Sequence, residues 1–108
     1  MNQDTGAVEY KIEYLPLFEQ DVAEVTDYIA DVLMNNAAAD RLVDSVEAAI
    51  QKRSSNPLAY RKYHSVKDRK QPYYTIRVGS YYVFYVVLDN VMEIRRFIHC
   101  NRDLENLV

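Results

Sequence analysis

The chain reads as one α+β domain in which a β-strand and a helical hairpin precede an antiparallel three-stranded meander. Three observations predict it: a period-2 segment at residues 8–14, two segments with a helical apolar repeat, and three β-rich runs separated by two-residue turn signals. With 108 residues, 49% of them hydrophobic, the chain can build one core and not two. Two glycines and three prolines argue against a fibrous or disordered chain.

Val8, Tyr10, Ile12 and Tyr14 alternate with Glu9, Lys11 and Glu13, the pattern of a half-buried strand. Residues 1–7 are expected to be a flexible tail and 8–108 the folded domain. Pro16 breaks the ladder and suits a first helical turn, where its missing N–H costs nothing. Glu19 and Asp21 follow where negative charge favours the positive end of a helix dipole. Phe18, Val22, Val25, Ile29 and Leu33 then trace one apolar stripe. Asn35 and Asn36 supply the turn, because asparagine tolerates a left-handed backbone and can cap the next segment. Ala39, Leu42, Val46, Ala49 and Ile50 repeat the stripe in a second helix ending near Arg53. Ser54, Ser55, Asn56 and Pro57 end it by competing for backbone hydrogen bonds and removing a donor.

Leu58 to Gln71 has no sustained periodicity and reads as an exposed basic loop, with a short edge strand around Tyr60 to His64. Tyr73–Val78, Tyr81–Leu88 and Val91–Cys100 read as strands, joined by tight turns at Gly79-Ser80 and Asp89-Asn90. The middle strand is apolar on both faces and belongs inside the sheet, with the hairpin covering one side. Strict alternation in the last strand puts Met92, Ile94, Arg96 and Ile98 towards the helices, and Glu93, Arg95, Phe97 and His99 on the open side with Arg77. Asn101 to Val108 is expected to add a short helical turn.

No run of about 18 apolar residues exists, and residues 1–6 lack the features of a signal peptide, so a cytoplasmic location without membrane contact is expected. Cys100 is the sole cysteine, and His64 and His99 lie far apart in sequence; neither a disulfide nor metal-ligand spacing is present, and no cofactor is expected. Glycine-framed nucleophile turns, phosphate-binding loops and dinucleotide fingerprints are likewise missing from the sequence.

Charge is unevenly distributed. Residues 1–50 carry eleven carboxylates against Lys11 and Arg41, a balance of −9, and residues 51–108 carry eleven Lys/Arg against five carboxylates, a balance of +6. From Lys52 to Arg77 eight basic residues face the single carboxylate Asp68, interleaved with Tyr60, Tyr63, Tyr73 and Tyr74. Such a segment can neutralise phosphates and stack bases, or simply keep a loop solvated. Tyr81, Tyr82 and Tyr85 read as packing residues. A histidine beside arginines could carry the proton of a phosphodiester transesterification, with the guanidinium groups holding the phosphorane charge, or His99 could merely end its strand.

Strand, helical hairpin, basic connection and the segment IRVGSYYVFYVVLDNVMEIRRFIHCNRDLENLV together resemble the RelE/ParE superfamily of type II toxin–antitoxin toxins. The most specific pieces are Tyr81-Tyr82-Val83-Phe84-Tyr85 and Arg96-Phe97-Ile98-His99-Cys100-Asn101-Arg102-Asp103, supported by Tyr10 to Pro16. The resemblance implies a two-layer fold whose first strand pairs with the last. It also implies a cognate antitoxin partner, a helix or strand of which enters the groove between the helical hairpin and the sheet; homodimerisation stays open.

Two mechanisms divide that superfamily. RelE-like members are metal-independent endoribonucleases that cut mRNA in the ribosomal A site, and ParE-like members poison DNA gyrase. RelE-like members commonly carry an arginine where this chain has Tyr82, and an acid–base group near the C-terminus where this chain ends Glu105-Asn106-Leu107-Val108. Both departures favour the ParE-like reading, with Arg77, Tyr82, Arg95, His99, Arg102 and Asp103 as target-binding residues. In a nuclease, His99, Arg77 and Arg102 would be the catalytic set. A module that has lost toxicity and only binds the antitoxin is a third reading.

Overall fold

A computed structural model describes residues 10–63 and 72–102. Strand β1 (Lys11–Tyr14) leads into helix α1 (Pro16–Asp27), which continues as a π-helical turn (Tyr28–Val32); helix α2 (Asn36–Arg53) and the strands β2 (Tyr74–Val78), β3 (Tyr81–Leu88) and β4 (Val91–His99) follow. They form one four-stranded sheet in the order β1-β4-β3-β2. The meander is antiparallel, and β1 pairs in parallel with β4, Lys11 opposite Val91 and Tyr14 opposite Ile94. The expected fold class, the pairing of first strand with last and the interior place of β3 all hold.

On one face of the sheet, Phe18 of α1 and Val46 and Ile50 of α2 pack on Ile76, Val83, Tyr85, Met92, Ile94 and Phe97. This cluster is the main core and uses the stripe foreseen for both helices. The first stripe ends early. At the π-helical turn the Leu33 N–H bonds to Tyr28 O five residues back; the wider turn rotates the backbone, and Leu33 emerges 56% exposed instead of continuing the buried row.

The hairpin turn also differs in detail from its expected form. Met34, not an asparagine, takes the left-handed conformation, with φ 54°. Asn35 caps α2, its side-chain oxygen accepting from the Ala38 N–H at 3.0 Å. Between the strands, the residues with positive φ are Gly79 (57°) and Asp89 (55°), one in each two-residue turn.

The open side of the sheet is not open. Phe84 and Val86 there are fully buried, joined by Tyr73 and Ile98 and flanked by Tyr63, Tyr82 and Leu88. Tyr63 and Tyr73 meet Phe84 edge-on, with centroids 5.2 and 5.8 Å apart. The expected edge strand is reduced to an isolated Lys62–Tyr74 bridge and a Tyr63 N–H to Tyr73 O bond of 2.6 Å. Residues 1–9, 64–71 and 103–108 lie outside the described residues, and with them the tail, the rest of the basic loop and the final helical turn.

Candidate functional site

Alternation along β4 breaks at a β-bulge. The pairing steps from Phe84–Arg96 to Tyr85–Ile94, which leaves Arg95 as an extra residue without a partner on β3. Met92 and Ile94 face the helices as expected, but beyond the bulge the parity reverses. Phe97 joins the helix-side core and Ile98 joins the opposite cluster. His99 lies across from Tyr81, whose ring it meets edge-on at 5.2 Å, and Tyr81 in turn stacks on Phe97 at 4.8 Å. The expectation that Phe97 and His99 share a face with Arg77 is therefore wrong, for want of one inserted residue.

Arg77 sits across from Tyr82 on the face away from the helices, its guanidinium 5.3 Å from the Tyr82 ring and its Nε donating to Gly79 O. Arg95 is on that face too, bound to Glu93 by its Nε at 2.8 Å and by a second nitrogen at 2.7 Å, and 6.0 Å from the Tyr73 ring. Burial alone would lower the Arg95 pKa, but the bonds to Glu93 and Tyr73 outweigh it and the net shift is upward. Arg77, Tyr82 and Arg95 form one group, and the sheet separates them from His99.

His99 and Arg102 line a second place, a cleft of about 150 Å³ between α1 and the end of β4, with Asp21, Glu24, Val25, Arg96, Phe97 and Ile98. This cleft exists because β1 stops at Tyr14, opposite Ile94, and α1 takes over the edge of β4 from there. Asp21 accepts from the Phe97 N–H at 3.0 Å, from Arg96 Nε at 2.8 Å and from a terminal Arg96 nitrogen at 3.1 Å. That fork of charge-assisted bonds, led by the hydrogen bond to Asp21, raises the Arg96 pKa.

The state of His99 follows from its neighbour. The Asn101 N–H donates to His99 Nδ1 at 3.0 Å, so in the neutral ring the proton resides on Nε2. The Cys100 N–H meanwhile donates to Ser80 O at 2.8 Å, and the Arg102 N–H to His99 O at 3.0 Å, holding the chain reversal beyond the strand. With Nδ1 engaged in this way, Nε2 is the nitrogen left to donate in the neutral ring. Among the described residues Arg102 has no carboxylate partner, in contrast to Arg95 and Arg96. Asp103 lies outside the described residues.

The larger groove, about 310 Å³, lies elsewhere, between α1, α2 and β1. Tyr14, Phe18, Val22, Val46 and Ile50 form its floor, and Glu19 and Glu47 stand at its rim. Burial, with a smaller contribution from the Glu47 charge, raises the Tyr14 hydroxyl above the ordinary tyrosine range. Among the described residues, none of those foreseen as target contacts lines it. Its shape and apolar floor suit a peptide segment rather than a reacting small molecule.

A family model described as the ParE toxin of the type II toxin–antitoxin system parDE matches residues 12–104, which covers both grooves, the bulge and the hairpin. The chain belongs to the ParE toxin family. Among solved structures, a chromosomal ParDE toxin–antitoxin system from P. aeruginosa superposes with a TM-score of 0.69 at 12% identity, covering 84% of this chain and 96% of that one. At that identity the likeness establishes the fold. No curated protein sequence matches the chain. Family membership makes this ParE-like chain a toxin of a toxin–antitoxin pair, and supports an antitoxin as its partner.

Sequence reasoning missed Asp21 as a structural partner of β4 and Glu24 as a wall of the cleft. A signal was available: Arg96 stood as the one charge in a set assigned to the apolar side, and a buried guanidinium demands a carboxylate. The bulge had none, because an inserted residue of ordinary type leaves no mark on a pattern only nine residues long.

Proposed function

We propose that this ParE family toxin arrests growth by poisoning DNA gyrase without a catalytic step of its own, and that a cognate antitoxin neutralises it. The observation that carries this reading is the placement of His99, its Nδ1 bonded to Asn101 and its ring apart from Arg77. A transesterifying nuclease needs a base at the 2′-hydroxyl and cations around the phosphate within one hydrogen-bonded reach. Here the Nδ1 lone pair is engaged by Asn101, and Arg77 stands across the sheet. His99 and Arg102 are assigned as target contacts on the helix side, and Asp103 is kept with them on its sequence position alone. Arg77, Tyr82 and Arg95 make a separate basic and aromatic surface. The antitoxin segment is assigned to the apolar groove between α1, α2 and β1, where aliphatic anchors would meet Phe18, Val22 and Val46.

The test is induction in cells without antitoxin, with DNA and mRNA followed over the first minutes. Gyrase-dependent double-strand breaks with intact mRNA are expected. Prompt mRNA cuts in the ribosomal A site would overturn the proposal. Unimpaired growth alongside tight antitoxin binding would instead favour a module that has lost toxicity.

A further inference from the structure

At the tip of the helical hairpin, Tyr28 is 54% exposed, Val32 61%, Leu33 56% and Met34 83%, four large apolar side chains within seven residues. Isolated exposed apolar residues need no explanation, but a contiguous set is unusual on a small soluble domain. The backbone beneath them is special as well. It is a π-helical turn, and Met34 holds φ 54°, where a residue with a side chain is strained. The tip shares no residue with the groove assigned to the antitoxin or with the His99 cleft.

The charges around the tip restrict what can cover it. Asp27, Asp31 and Asp40 are exposed around it, and no lysine or arginine occurs between Lys11 and Arg41. A second copy docking tip to tip would bring the same carboxylates face to face without a counter-charge. We propose that the hairpin tip is a docking site for a basic amphipathic helix of a partner protein. Its aliphatic face lies on Tyr28, Val32 and Met34, and its lysine or arginine side chains reach Asp27 and Asp31. This is helix-on-helix recognition by apolar anchors with a complementary charged rim. The assignment does not depend on which target the toxin poisons.

The probe is a synthetic leucine/lysine amphipathic peptide of about 14 residues, roughly four helical turns. A leucine/glutamate peptide of the same pattern serves as control. Binding to the full chain is followed by peptide fluorescence anisotropy and by backbone amide shifts. The lysine peptide is expected to bind, to perturb Tyr28 to Asn36 first, and to weaken with added salt. The double variant Val32→Ser/Met34→Gly keeps the fold, because glycine accepts the left-handed backbone at residue 34. It should bind at least about tenfold more weakly. Equal binding by that variant would mean general attraction to an acidic surface and would overturn the proposal. So would equal binding of the glutamate peptide, absence of binding, or a dimer of the parent chain that the variant abolishes.

Discussion

On the helix side of the sheet, Phe18, Val46 and Ile50 descend from two helices onto Ile76, Val83, Met92 and Ile94; on the other side, Phe84 and Val86 are just as buried with no helix described above them. The second face is closed in part by the rings of Tyr63, Tyr73 and Tyr82, set edge-on to Phe84. Tyrosine suits that position, since its ring excludes water while its hydroxyl can take a polar partner, as that of Tyr73 does with Arg95. Three of the ten tyrosines thus help this small sheet, in a chain without tryptophan, to seal its second face. The same rings hold Arg77 and Arg95 against the surface. Arg102, by contrast, lines the cleft on the helix side.

Ile94→Asp puts an unpaired carboxylate into the fully buried helix-side core, at a cost of several kcal/mol against a total stability of about 5 to 15 kcal/mol. Loss of the folded circular dichroism signal is expected, and a cooperative melt near that of the parent would show this core to be dispensable. Phe84→Ala tests whether the second face is a true core. Chemical denaturation should register about 3 to 5 kcal/mol of destabilisation. A loss below about 1 kcal/mol would mean that its tyrosines only cover a surface.

Tyr85→Phe is the mildest change and sharpens the link between the core and the basic connection. The Tyr85 hydroxyl donates to Pro57 O at 2.7 Å and accepts from an Arg53 nitrogen at 3.0 Å. That nitrogen also reaches Thr75 O at 2.9 Å, and the guanidinium lies 3.5 Å over the Tyr60 ring. The variant should lose about 1 to 3 kcal/mol at neutral pH. Burial raises the Tyr85 pKa above the ordinary 10.0, and the Arg53 hydrogen bond and charge only partly oppose it. A folded value above the unfolded one means stability that is full below pH 10 and falls as pH rises through the folded value. Urea titrations across that range should show a shallower alkaline loss in the variant. An unchanged slope would assign the loss to other groups, Tyr14 first among them.

Most of the fold was legible because its elements have strong periods and clear punctuation. Pro16, Asn35, Ser54 to Pro57, Gly79 and Asp89 mark boundaries that the structure reproduces within a residue or two. What failed was local geometry that changes phase. A π-turn displaced Leu33, and a bulge displaced Phe97 and His99. Both insert backbone without altering residue types, so a pattern read at constant period passes through them unaware. The site suffered more than the fold because a single phase error moves a side chain to the other face. His99 and Arg102 stayed together because both follow the bulge, whereas Arg77 was lost from their company.

The most direct test of the account compares Arg102→Ala and Arg77→Ala as purified, correctly folded proteins in a gyrase assay that scores cleaved DNA. Arg102→Ala is expected to lose at least about tenfold in cleavage with an unchanged melting temperature, while Arg77→Ala stays close to the parent. Full activity of Arg102→Ala together with loss in Arg77→Ala would put the target on the opposite face of the sheet and contradict it.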